Sequence, residues 1–245
     1  MFRFIIVCII VIGYLILSIP ILLGEWVLGK QNQRKKDISS LRIVQAVFRV
    51  ILKVTGADIT IIGHERVPKD QAVLYIGNHR SYFDILLTYV LCPDTTGYFA
   101  KKEMEPIPLL SNWMKYLHCL FLDRKDIKEG LKTILTAIDE IKNGVSICIF
   151  PEGTRNKHDS ELEMLPFHEG SFKIATKTNC PVVPIAIHNS AEIFEAHLPK
   201  IRPCRVVVEY GEPIYPEQLS KEEKKHLGSY TRNVILEMLK KNQQI

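Results

Sequence analysis

The chain has 245 residues, 47% hydrophobic and 24% charged, with a formal net charge of +5 at pH 7. That length suits one generous domain, and the polar content excludes a polytopic membrane protein. So small a charge excess, with no nucleic-acid-binding motif beside it, excludes nucleic acid as the expected partner.

The apolar excess is concentrated at the amino end. Residues 4–24, "FIIVCIIVIGYLILSIPILLG", carry no charge, and about 20 apolar residues are enough to cross a bilayer. The "LGEWVLGKQ" that follows offers no small-residue cleavage site, so a retained anchor is expected rather than a signal peptide. Pro20 and Gly24 are helix breakers, which leaves both a spanning helix and a re-entrant hairpin open. Lys30, Arg34, Lys35, Lys36, Arg42, Arg49 and Lys53 crowd the next stretch. Such a cluster suits an anionic lipid surface and puts the rest of the chain on the cytoplasmic side of a cell membrane. "SSLRIVQAVFRVILKVTG" has helical apolar spacing and ends at Gly56, so an amphipathic helix is expected, a candidate to lie along the membrane.

Beyond Gly56 short apolar runs alternate with helical patterns. "DITIIG", "AVLYIG", "GYFAK", "CLFLD", "SICIFP", "VVPIAI" and "RVVVEYG" read as strands, several apolar throughout as buried central strands are. "SYFDILLTYVL", "KEGLKTILTAIDEIKNG", "GSFKIATKTN" and one long helix, "SKEEKKHLGSYTRNVILEMLKK", fit helices. The expected fold is α/β: a single domain over residues 56–245, with a central mixed, largely parallel sheet flanked by helices. A membrane-anchoring helical segment, residues 1–55, precedes it. The six cysteines stand singly among apolar neighbours, so neither disulfides nor a thiolate metal site is expected. The histidines show no ligand spacing either, and no metal is expected.

Ligands of α/β sheets bind beyond the carboxyl ends of strands. Polar clusters follow four of the expected strands, and they carry His79, Asp84, Lys101, Lys102, Arg124, Glu152, Thr154 and Arg155. One base candidate among several cations suggests nucleophilic attack on an anion-bearing substrate. His79 and Asp84 would lie ~140° apart on an ideal helix. They meet only if His79 sits in the turn before the helix and folds back over its first turn. Otherwise they are a capping or surface pair. In "FPEGTRN" Pro151 stops the strand, Gly153 allows close backbone approach, Thr154 supplies a hydroxyl, and Arg155 a planar fork suited to phosphate. A plain turn would need only the proline and glycine. Arg124 has a bland alternative as a charge paired with Asp123.

Taken together, these stretches resemble the 1-acyl-sn-glycerol-3-phosphate acyltransferase family of bacterial phospholipid synthesis and its relatives. "NHRSYFD" matches its NHxxxxD block, "FLDR" the second, "FPEGTRN" the third, and "VVPIAI" the fourth, with Pro184 in place. "FHEGSFKIA" and "GEPI" resemble its flanking segments, so the likeness runs from about Gly56 to Ile214. Cys119 stands where members often carry glycine.

The resemblance implies a membrane-bound enzyme that acylates the sn-2 hydroxyl of lysophosphatidic acid from acyl-CoA or acyl carrier protein. The product would be phosphatidic acid, and no cofactor is implied beyond the thioester. His79 would be the base and Asp84 its orienter. Arg124 and Arg155, helped by Lys101, would bind the acceptor's phosphate. Glu152 and Gly153 would shape the glycerol pocket with Thr154 beside them, and Pro184 would support the site. Ser81 is a weaker candidate, as a nucleophile, because direct transfer needs none. The alternatives are another lysolipid or glycerol 3-phosphate as acceptor, or a non-catalytic membrane lipid-binding protein.

Overall fold

A computed structural model describes residues 1–123 and 126–245. Among these residues, every apolar run read as a strand forms one: β1 (Asp58–Ile62), β2 (Leu74–Gly77), β3 (Thr96–Lys101), β4 (Leu120–Leu122), β5 (Ser146–Ile149), β6 (Val182–His188) and β7 (Arg205–Tyr210). They make a single sheet in the order β1-β7-β6-β2-β5-β3-β4. All neighbouring pairs are parallel except β6 with β7. The sheet is therefore mixed and largely parallel, as expected. Every residue of β2 and β5 is buried, which explains their unbroken apolar character.

Helices cover both faces. One face carries α1 (Phe2–Leu17), α2 (Ile19–Gln31), α3 (Gln33–Thr55), α4 (Phe83–Tyr89) and α5 (Leu110–Tyr116), packed on a cluster that includes Tyr75, Tyr98, Val183 and Val208. The other carries α6 (Ile127–Lys142), α7 (Lys173–Thr178) and α9 (Leu227–Asn242), packed on Leu74, Ile76, Ile147 and Val182. Alternate side chains of one strand thus feed two cores, the period-2 signature of a sheet between two helical layers.

Three details differ from expectation. The long carboxyl-terminal helix is two: α8 (Lys221–Lys225) and α9, separated at His226. Ser220 and Glu223 cap the first reciprocally, while the Glu169 carboxylate accepts from the Gly228 and Ser229 amides at the start of the second. Neither α5 nor its role is visible in the sequence. Trp113 on α5 is 3% exposed, and its Nε1 donates to Ser18 Oγ at 2.8 Å, pinning the junction of α1 and α2. Finally, α3 does not offer an open apolar face. Leu41, Val44, Ile51 and Leu52 are buried in the core shared with α4 and the sheet, each contributing about 1.5–3 kcal/mol by burial.

The basic stretch is partly consumed in the same packing. Arg34 pairs with Asp94, Arg42 donates to the Pro93 carbonyl at 3.0 Å, and Lys36 is buried beside Asp37 and over the Tyr116 ring. Asp37 also faces His118, whose other ring nitrogen meets Glu140 on α6 at 3.0 Å. Burial opposes a charge on His118, but the Asp37 and Glu140 carboxylates outweigh it and raise its pKa to about 9.

No single described helix is long and apolar enough to cross a membrane; α1 and α2 reach that length only as a pair bent by 51°. Most of their exposed surface is apolar, with Phe2, Ile9, Leu17 and Leu23 all more than 60% exposed, while Arg3 and Lys30 stand near the two outer ends.

Candidate active site

The site is built where β2 stops. Gly77 ends the strand and α4 begins only at Phe83, so residues 78–82 form a turn across the carboxyl ends of the central strands. Asn78 anchors this turn: its amide donates to the Ile187 carbonyl at 2.9 Å and accepts from the Ile187 N–H at 2.8 Å. The anchor comes from β6, the strand paired with β2. Gly77 leaves room for the Phe150 ring, which a Cβ there would meet at 3.0 Å.

His79 lies in the turn and Asp84 in the first turn of α4, so the histidine folds back over the helix start. Its Nδ1 is 2.8 Å from Asp84 Oδ2. The same oxygen accepts from the backbone N–H groups of Arg80 at 2.7 Å and Ser81 at 2.8 Å. Asp84 is fully buried, and the ring of His79 stacks on Phe150 with centroids 4.4 Å apart. The imidazole is thus held at one nitrogen and across one face. Among the described residues nothing hydrogen-bonds to Nε2.

The "FPEGTRN" loop closes over the turn. Asn156 N–H donates to the His79 carbonyl at 2.7 Å. Glu152 is 4% exposed, and its two oxygens accept from the His79 and Leu165 amides at 2.9 Å. Burial pushes its carboxyl above the ordinary value, with the two amides working against that rise. Gly153 adopts φ +72°, where L side chains are strained, and a Cβ would lie 3.0 Å from His168 Nε2. Arg155 stacks its guanidinium 3.6 Å above the Tyr82 ring and pairs with Glu195 at 3.0 Å. Thr154 is exposed at the loop tip, and Lys101 is exposed at the end of β3; neither hydrogen-bonds to the dyad among the described residues. Arg124 lies outside the described residues. Pro184 sits within β6 on the α9 side, packed toward Gly211 and Met238, and so supports the sheet from the face away from α4.

Ser81 has no free hydroxyl. Its Oγ donates to Glu195 at 2.6 Å and accepts from Phe83 N–H at 3.0 Å. Glu195 is the site residue the sequence hides most completely, because nothing in "SAEIFEAHL" marks it and its partners are remote in the chain. The anchoring role of Asn78 is likewise hidden, because its partner Ile187 lies 109 positions away. At the same end of the sheet, beyond β3 and β4, an open cleft of about 590 Å³ is lined by Lys102, Glu103, Glu105, Pro106 and Asp123 and includes neither His79 nor Asp84. Among the described residues no group of three or more His, Cys, Asp or Glu side chains converges as a metal site would.

Chemically, an imidazole oriented by a buried carboxylate can take up a proton, and a half-buried guanidinium at a nearby strand end can bind an anion. Comparison with known proteins points the same way. The chain is 28% identical over 207 residues to the 1-acyl-sn-glycerol-3-phosphate acyltransferase of Saccharomyces cerevisiae, covering 84% of this chain and 68% of that protein. It is 29% identical over 203 residues to the protein of the same name from Borreliella burgdorferi, covering 82% and 79%. In fold it is similar to the crystal structure of the 1-acyl-sn-glycerophosphate acyltransferase from Thermotoga maritima, with a TM-score of 0.81 and 24% identity over 98% of this chain and 95% of the other. The Acyltransferase family model matches residues 58–188, more than half of the chain and all four sequence blocks with the dyad among them, so the chain belongs to the acyltransferase family.

Proposed function

We propose that this chain is a 1-acylglycerol-3-phosphate O-acyltransferase. It moves a fatty acyl group from acyl-CoA or acyl carrier protein to the sn-2 hydroxyl of 1-acyl-sn-glycerol 3-phosphate, giving phosphatidic acid. The observation that carries the reading is the 2.8 Å contact between His79 Nδ1 and the buried Asp84 carboxylate. The names of the relatives support the choice of acceptor.

The transfer proposed is direct. Asp84 receives the Nδ1–H, so neutral His79 presents the Nε2 lone pair. Nε2 takes the proton of the sn-2 hydroxyl as that oxygen bonds to the thioester carbonyl carbon. Asp84 stabilises the imidazolium. When the tetrahedral intermediate collapses, the C–S bond breaks and the leaving sulfur regains a proton from Nε2. A thiol with pKa ~8.5 leaves readily, so little further acid help is needed. No acyl-enzyme is required, and Ser81, committed to Glu195, is not free to form one.

Arg155 keeps N–H donors beyond the one given to Glu195, and these receive the acceptor's phosphate. Lys101, exposed at the end of β3, adds a second cation for that phosphate. The exposed apolar surface of α1 and α2 seats the enzyme in the cytoplasmic leaflet of a cell membrane, where the amphiphilic acceptor resides. The bend between the two helices favours seating within a leaflet over crossing it.

The test is incubation of the purified chain with labelled palmitoyl-CoA and a panel of lysophosphatidate, glycerol 3-phosphate and other lysophospholipids. Lysophosphatidate is expected to be the preferred acceptor. His79→Ala should lower turnover by ~10²–10⁴ with an unchanged melting temperature. Preference for another acceptor would replace the substrate assignment, and an alanine variant with near wild-type turnover would remove the base.

A further inference from the structure

Two halves of the site, the "NHRSYFD" turn and the "FPEGTRN" loop, are tied together by one carboxylate that belongs to neither. Glu195 stands on the short turn Glu195–His197, after β6. Its Oε1 accepts from the Tyr82 N–H at 2.8 Å and from Arg155 Nη1 at 3.0 Å, and its Oε2 accepts from Ser81 Oγ at 2.6 Å. The side chains of Glu195 and Arg155 are 17% and 27% exposed. We propose that Glu195 is the positioning residue for the acceptor's phosphate, presenting the Arg155 guanidinium in one fixed orientation against Tyr82. This inference rests on the reading that Arg155 receives that phosphate.

A free arginine side chain is rotamer-rich, and binding a phosphate to it would first have to order it. Here the ordering is done beforehand. Tyr82 covers one face of the guanidinium at 3.6 Å, and Glu195 takes one of its five N–H donors. The remaining donors are left for a ligand. Competition between Glu195 and the phosphate is the other conceivable role, and the hydrogen bonds argue against it. If Glu195 swung aside, the Ser81 hydroxyl and the Tyr82 amide would lose their acceptor, in the turn that leads straight into Asp84. A carboxylate fastened at both oxygens holds the arginine rather than yielding it.

The experiment measures steady-state kinetics of the full-length chain with lysophosphatidate and palmitoyl-CoA for wild type, E195A, E195Q, R155A and the E195A/R155A double variant. E195A should raise KM for lysophosphatidate about 2- to 10-fold, the effect of having to order one side chain on binding. Its kcat should fall by less than KM rises, and KM for palmitoyl-CoA should stay at the wild-type value. E195Q should recover part of the loss, because the amide oxygen still accepts. In the R155A background E195A should add no further rise. If E195A misfolds, E195Q carries the same comparisons. A KM for lysophosphatidate at or below wild type, an equal rise for palmitoyl-CoA, or an undiminished effect without Arg155 would each overturn the proposal. Failure of wild type to acylate lysophosphatidate would instead sink the functional reading. Wild-type KM in R155A would remove the phosphate role of Arg155, and the proposal with it.

Discussion

Asp84→Asn is a sharp perturbation because the structure dictates how the amide must sit. Three N–H donors converge on Oδ2, two of them backbone groups that cannot reverse. The amide oxygen must therefore take the Oδ2 place. The NH₂ falls at Oδ1, which is buried and has no hydrogen-bond partner among the described residues. His79 keeps its Nδ1–H, and with it the tautomer that frees Nε2. Only the charge opposite the imidazolium is lost. With charge centres about 4 Å apart and an effective dielectric near 20, that attraction is about 4 kcal/mol. The neutral hydrogen bond that survives offsets about 1 kcal/mol of it. The remainder corresponds to a fall in kcat of about 10²-fold, and 10³-fold is the ceiling. The assay is thiol release from palmitoyl-CoA at saturating lysophosphatidate, with KM and a thermal melt measured alongside. KM and melting temperature should change little. A kcat within about 5-fold of wild type, less than 1 kcal/mol in the barrier, would refute the charge argument.

Further outcomes are expected elsewhere in the molecule. His118, with its pKa raised to about 9 from an ordinary 6.5, stabilises the fold fully below pH 6.5 and loses that contribution as pH rises through 9. The melting-temperature difference between wild type and His118→Gln should therefore shrink from pH 6 to pH 10; a difference that grows would contradict the ion pairs. Trp113→Phe removes the bond to Ser18 and should cost about 1 kcal/mol, read by thermal or urea unfolding. Ile9→Asp with Ile16→Asp changes two side chains that are 65% and 57% exposed. Flotation with anionic vesicles should drop sharply while activity on detergent-dispersed substrate and the melting temperature hold. Retained vesicle binding would show that α1 does not face lipid.

The dyad was legible in the sequence because its partners are five residues apart at a strand-to-helix break. There local chain geometry alone can bring an imidazole back over a carboxylate. "FPEGTRN" was legible for a similar reason: proline and glycine mark where the strand ends, and the arginine follows at once. Less of the loop's internal wiring was visible. The Glu152 carboxylate holds the His79 and Leu165 amides, a contact that depends on which backbone groups burial leaves without partners and that no local pattern announces.

What the sequence by itself determined is therefore short-ranged. Each strand is an apolar run bounded by turn residues, and α6 starts where Asp126 accepts from the Lys128 and Glu129 amides. Tertiary structure decided what depends on distant partners. The strand order and the single antiparallel pairing of β6 with β7 follow from non-local hydrogen bonding that no periodicity encodes. The break before α9 depends on Glu169, brought in from another segment to cap it. The apolar stripe of α3 specified that a face would be buried, but not whether by lipid or by protein. Glu195 reaches Ser81 from 114 positions away, so its carboxylate became part of the site only once β6 lay beside β2. Local propensity is written in neighbouring residues, whereas a long-range contact is set by the packing of the whole sheet.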